Sequence, residues 1–314
     1  YNVAMGYQAF DAFTTSNKNT AIGSFSQTSK TSGDENTSVG YQTLYSMTTG
    51  KWNVVVGSQA GYSLVDAQRN VFVGQWAGRY ETNSFNTYLG YEAGRGNSSG
   101  NASNTHNVGI GYQALFLART AASNVAIGVL AGQNVDEGDE NVLVGPNAGL
   151  AITDGTQNVA LGRQALYLEQ TGPSNIAIGN RAAYKQRKNA TSYNTYIGNA
   201  AGYENTTGIE NVFIGYDAGR GQDSGHPDRG TFVGFRAGYS ILGNDSTYIG
   251  NDTGYFATGS QNTFVGSEAG KGGTTSAPFS SGGSNTAMGY QALAGFTTGH
   301  SNIAIGYKAA INTT

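Results

Sequence analysis

Carboxylates crowd one short stretch of this chain. Asp136, Glu137, Asp139 and Glu140 surround Gly138, and a hard cation such as Ca²⁺ would need about six oxygens converging from such a cluster. The spacing matches neither an EF-hand loop nor the glycine-rich calcium repeat of β-helices, so a solvated loop is expected and no metal site is assigned. His106, His226 and His300 fall far apart in loops, which argues against a histidine metal centre. Cysteine is absent, which excludes disulfides, thiolate metal ligands and cysteine nucleophiles. No phosphate loop, nucleophile elbow or zinc-binding helix motif stands in a strand-to-helix context. Loop carboxylates recur too irregularly to name a general acid and its base. The expectation is a protein that is not an enzyme and takes no cofactor.

Binding chemistry has better candidates. Phe72, Tyr88, Tyr196, Phe213, Phe232, Tyr248 and Phe264 occupy one position of a repeating frame that elsewhere holds small residues such as Ala4, Ala126 and Ala177. Stacked repeats would bring the last five into one aromatic ladder. Exposed, it would be a sugar-stacking or partner-binding stripe; packed, it would be a seam between chains or between sheets. Three segments read acidic-Ala-Gly-basic-Gly, at 92–96, 217–221 and 268–272, each followed by an insertion, at 97–106, 222–230 and 273–284. Loops that vary on a rigid scaffold are candidate specificity loops, and equally plain solvated bulges. Lys185, Arg187 and Lys188 form too small a basic patch to argue for nucleic acid.

The frame that positions these residues is an internal repeat. Glycines recur from Gly6 and Gly23 through Gly128 and Gly179 to Gly306, eighteen anchors in all, with ten of the seventeen spacings equal to 17 residues and the rest between 16 and 23. An apolar residue precedes every anchor, and Val, Ile or Thr stands two residues before that. This alternation fits a short strand with one buried face, and these two positions are expected to face the core. One residue further back is Asn in sixteen units, among them Asn19, Asn124, Asn175 and Asn302, where stacking would build an amide ladder. Ala follows the anchor by three residues in fifteen units, marking close backbone approach. The anchor itself is expected to take positive φ or to leave room at a tight corner. A coil of this length cannot bury its own apolar face, so coils must stack as a parallel solenoid. Residues 1–314 then form a single continuous repeat domain. The period admits either hand.

Composition agrees. Gly 48, Pro 4 and only 12% charged residues disfavour helices, and a net charge of -3 gives no reason to expect nucleic acid. No stretch is apolar enough to span a membrane as a helix, and no membrane insertion is expected. Repeats in frame at both termini suggest a piece of a longer chain able to associate end to end into a filament.

Asn-Thr-Ala-Ile-Gly at 19–23, Asn-Val-Ala-Ile-Gly at 124–128, Asn-Ile-Ala-Ile-Gly at 175–179 and 302–306, and Gly-Tyr-Gln-Ala-Leu at 111–115 and 289–293 carry a resemblance. They resemble the head repeats of trimeric autotransporter (YadA-like) adhesins and, more closely, repeat arrays of bacteriophage tail fibres. The resemblance covers the whole chain and implies a left-handed parallel β-roll, a homotrimer and an extracellular place on a virion fibre or cell surface. It also implies a structural or adhesive role toward a cell-surface glycan or protein receptor. The alternatives are a self-assembling filament without a receptor and a fibre-borne glycan hydrolase or lyase.

Overall fold

The computed structural model describes residues 1–12, 14–97, 104–187, 192–221, 227–273 and 280–311. Each repeat contributes one three-residue strand that ends just before its anchor glycine. The chain divides into two compact units, Tyr1–Gln157 and Asn158–Thr314. Nine strands lie in the first, from Val3–Met5 to Val142–Val144, and nine in the second, from Val159–Leu161 to Ile303–Ile305. Within each unit successive strands pair in parallel, with equivalent positions opposite one another: Val3 faces Thr20 and Phe213 faces Phe232. Long spacings do not disturb this register, since Tyr88 still pairs with Gly109 and Phe264 with Ala287. The fold is an all-β parallel solenoid, without helix among the described residues.

Closing a coil in so few residues requires sharp corners. Anchor glycines adopt φ between 124° and 141°, and a Cβ on Gly23 would stand 2.4 Å from the carbonyl oxygen of Gly40. Both reasons for glycine therefore hold at once. Two residues after every anchor the backbone is left-handed, at φ of 49° to 62°, in side chains as unlike as Gln8, Trp76 and Asp217. Such a conformation costs on the order of 1 kcal/mol per residue. It turns the N–H along the stacking direction, where it is satisfied by the preceding coil: Phe25 N donates to Tyr7 O at 2.8 Å and Gln42 N to Ser24 O at 3.0 Å.

The asparagines form the expected ladder inside the corner. Asn36 donates from its backbone N and its Nδ2 to Asn19 Oδ1, at 2.9 and 3.0 Å, and its Nδ2 also reaches Gly50 O at 2.9 Å. Asn53 repeats the pattern on Asn36. The amides of Asn19, Asn36 and Asn53 are buried and each is satisfied, which is what permits a polar column in the interior. Where the frame has Gly230, a Cβ would meet the Phe232 ring at 2.8 Å, and the backbone N of Gly230 still donates to Asn211 Oδ1 at 2.8 Å, so the ladder accepts a residue without an amide there.

One expectation is reversed. The middle residue of each strand points into the coil, and the two flanking aliphatic positions point out: Val55 is fully buried between an exposed Val54 and a half-exposed Val56, and Phe72 between exposed Val71 and Val73. The uniform aliphatic pair signals a uniform environment, which here is the outer sheet face. Inside, composition varies because volume is shared between the strand and the left-handed position six residues later. Phe72, Tyr88, Tyr196, Phe213, Phe232, Tyr248 and Phe264 are followed at that distance by Gly78, Gly94, Gly202, Gly219, Gly238, Gly254 and Gly270. A Cβ on Gly219 would stand 2.3 Å from the Phe213 ring, and one on Gly270 2.2 Å from Phe264. In several coils with a small strand residue the second position is large instead, as with Ser38 and Leu44, Gly109 and Leu115, or Ala160 and Leu166, whereas Ala126 with Gly132 and Ala177 with Ala183 are small at both. Both arrangements fill one interior to the density that close packing requires.

Candidate binding surface

The seven aromatic residues expected as a binding stripe are fully buried within their coils. Their rings do stack in register: Phe72 on Tyr88 at 5.1 Å, Phe213 on Phe232 at 4.7 Å, Phe232 on Tyr248 at 4.9 Å and Tyr248 on Phe264 at 5.0 Å. A ring inside the coil cannot touch a glycan, so the ladder is core and the surface-stripe reading is corrected. The phenols are tied to polar groups in the same interior. Tyr88 Oη lies 3.4 Å from Glu81 and 3.3 Å from Asn104, and Tyr196 Oη donates to Gln186 Oε1 at 3.0 Å. Burial pushes both phenols well above their ordinary range. It also raises the Glu81 carboxyl to about 7, against the opposing pull of the Asn83 and Thr82 N–H groups.

The sequence frame hides a second ladder, on the outside. Five residues after the anchor, the second unit places Tyr167, Tyr184, Tyr203, Arg220, Tyr239 and Tyr255 in consecutive coils. Tyr167 stacks on Tyr184 and Tyr184 on Tyr203, both at 5.0 Å and nearly parallel. The Arg220 guanidinium lies 5.0 Å from the Tyr203 ring and 5.8 Å from Tyr239, and Tyr239 stacks on Tyr255 at 4.7 Å. Cation and ring thus continue one column. The first unit carries the counterpart: Tyr45 stacked on Tyr62 at 5.0 Å, then Arg79, Arg95 and Phe116. All of these side chains are partly exposed. Counting a fixed five residues beyond each anchor would have found the column, but its mixture of Tyr, Arg, Phe and Lys looks like noise until planar stacking is considered.

Tyr immediately after the anchor forms shorter exposed stacks, Tyr91 on Tyr112 at 5.6 Å and Tyr290 on Tyr307 at 5.5 Å. The acidic-Ala-Gly-basic-Gly segments do form ion pairs: Arg95 with Glu92 at 3.4 Å, Arg220 with Asp217 at 2.9 Å and Lys271 with Glu268 at 3.3 Å. Each sets its cation on the outer ladder. Residues 98–103, 222–226 and 274–279 of the insertions that follow lie outside the described residues, as do Lys188 and His226. Lys185 pairs with Glu204.

The acidic loop is consumed by local partners. Asp136 and Glu137 both take Arg119, at 2.7 and 2.9 Å. Asp139 accepts from Ala122 N and Glu140 from Gln157 Nε2. No cluster of three metal-ligating side chains occurs among the described residues. His106 lies flat on Phe85 at 4.9 Å. A cleft of about 260 Å³ in the second unit is lined by Arg236, Asp252, Tyr255, Phe256 and Lys271. Its Arg236 is already held by Asp252 at 2.9 Å.

Compared with known proteins, the chain matches no family model, no curated protein and no solved structure. What can be said of function rests on the surfaces themselves.

Proposed function

We propose that this chain is a segment of a non-enzymatic extracellular fibre, structural and adhesive, that assembles as a homotrimer and presents its outer ladders to a cell-surface glycan or another partner. The observation that carries the reading is the outward face of the strands. Val, Ile, Leu, Met and Thr fill both flanking positions of every strand without one charged residue. Several of them are exposed in the single chain, including Val54, Val71, Val73, Ile127, Val142, Ile176 and Ile249.

An uncharged apolar row repeated from strand to strand is what a soluble protein covers with another protein surface. Three features favour a further copy of the same chain as the cover. The face repeats at strand spacing within each unit, it has the same composition in both units, and the sequence repeats resemble those of trimeric fibres. A homotrimer built so would present each weak surface site several times over, raising its effective concentration at a cell surface.

Light scattering tests the reading. The expected particle has three times the 32.6 kDa chain mass; a stable monomer at micromolar concentration would remove the fibre proposal.

A further inference from the structure

On the outer ladder of the first unit, two arginines occupy consecutive rungs. Arg79 and Arg95 each stand five residues after their anchors, Gly74 and Gly90, and their strands pair in register. Like charges on adjacent rungs repel unless something lies between them. Arg95 has Glu92, but Arg79 meets no carboxylate among the described residues and donates no side-chain hydrogen bond to them. The reason is legible in the frame. Where Arg220 and Lys271 have Asp217 and Glu268 three residues earlier, Arg79 has Trp76.

The rings hold both guanidiniums in place. Arg79 lies 5.3 Å from Trp76, 5.0 Å from Tyr80 and 6.0 Å from Tyr62. Arg95 lies 5.8 Å from Trp76, 5.5 Å from Tyr80 and 5.1 Å from Phe116. Trp76 is itself fixed, its Nε1 donating to Gln59 Oε1 at 2.9 Å, while Gln59 donates to Gln42 at 2.7 Å. The Nε atoms of both arginines are buried without a hydrogen-bond partner among the described residues. Two planar cations are thus pre-oriented, and the one carboxylate beside them among the described residues, Glu92, pairs with Arg95 alone.

We propose that Arg79 and Arg95, together with Trp76 and Tyr80, form a subsite for the acidic group of a polysaccharide, a carboxylate or a sulfate ester. The free fork of Arg79 matches the paired oxygens of such a group, and fixing it in advance lowers the ordering cost of binding. The rungs beside the pair, Tyr45, Tyr62 and Phe116, are uncharged. That suits a polymer whose acidic groups are separated by neutral sugars lying against ring edges and hydroxyls. It does not suit single-stranded nucleic acid, which needs a longer cationic track and open ring faces; Tyr45 and Tyr62 already cover each other's faces.

The inference rests on the adhesive half of the function proposed above, and its test is separable from the oligomeric state. Calorimetry at low salt would titrate the full chain with a polyuronate, a sulfated galactan, neutral dextran and oligothymidine. Acidic polymers should bind and dextran should not, and the preferred acidic polymer identifies the group as carboxylate or sulfate. Arg79→Gln should weaken that binding at least about tenfold. Arg79→Lys, which keeps the charge and loses the fork, should weaken it less, and Arg181→Gln on the second unit should leave it unchanged. Unchanged thermal midpoints would confirm that the variants fold. Failure of both acidic polymers to bind, equal binding of dextran, tighter binding of oligothymidine, or wild-type affinity in both Arg79 variants would each overturn the subsite. A trimer that fails these tests removes the subsite alone; a monomer that passes them removes the fibre and keeps the subsite.

Discussion

The second unit carries two aromatic ladders through the same coils, and they differ in almost nothing but side. Phe213, Phe232, Tyr248 and Phe264 run inside at ring separations of 4.7 to 5.0 Å. Tyr239 and Tyr255 stack outside at 4.7 Å, beyond Arg220. Backbone pairing sets the rung spacing in both, close to the roughly 4.8 Å between paired strands, so ring distance says nothing about role. Burial does. The inner rings have excluded water and fill volume, whereas the outer rings keep an edge in solvent and tolerate a cation among them.

Truncation should separate the two most widely. Phe232→Ala would open a cavity in a close-packed coil and should cost about 3–5 kcal/mol in denaturant unfolding. A loss comparable to that of an outer-ladder truncation would erase the distinction.

Acidity reaches the interior next. Glu81 holds its proton more tightly folded than unfolded. Its contribution is therefore complete below the ordinary carboxylate range near 4.5 and is lost as pH rises through about 7. That window corresponds to at most about 3 kcal/mol. Stability measured between pH 5 and 8 should fall in the wild type and stay flatter in Glu81→Gln; parallel curves would show that Glu81 titrates normally.

Volume exchange gives a smaller effect with a distinctive sign. Gly219→Leu should overpack against Phe213 by about 1–3 kcal/mol, and adding Phe213→Ala should recover part of it by recreating the pairing of Ala160 with Leu166. Strictly additive losses would contradict the shared interior.

Smallest of all, Tyr239→Ala on the outer ladder should cost under about 1 kcal/mol by the same denaturant assay.

Much of this was legible in the residues. The anchor glycines, the asparagine corner, the small residue at the close approach and the tolerance of insertions each reflect a constraint that every coil meets separately, so each recurs in frame. The facing of the strand was not. A three-residue strand offers too few alternations to fix its buried side, and the regular Val and Ile positions imitate a core while forming the outer sheet face. Pairing each large strand residue with the glycine six positions later, as Phe264 with Gly270, would have revealed the interior. The outer ladder escaped notice because Tyr203 and Arg220 share a column only by planarity and stacking, not by hydropathy.

The central claim is that the outward aliphatic face is where copies of the chain meet. Ile214 lies on that face, between Ile197 and Val233 on the neighbouring strands. Ile214→Lys would place a charge there without entering the coil. Light scattering on this variant should give the single-chain mass of 32.6 kDa with the wild-type β-sheet circular dichroism, beside a wild type three times heavier. A variant that keeps the full mass of the wild-type assembly would contradict the claim.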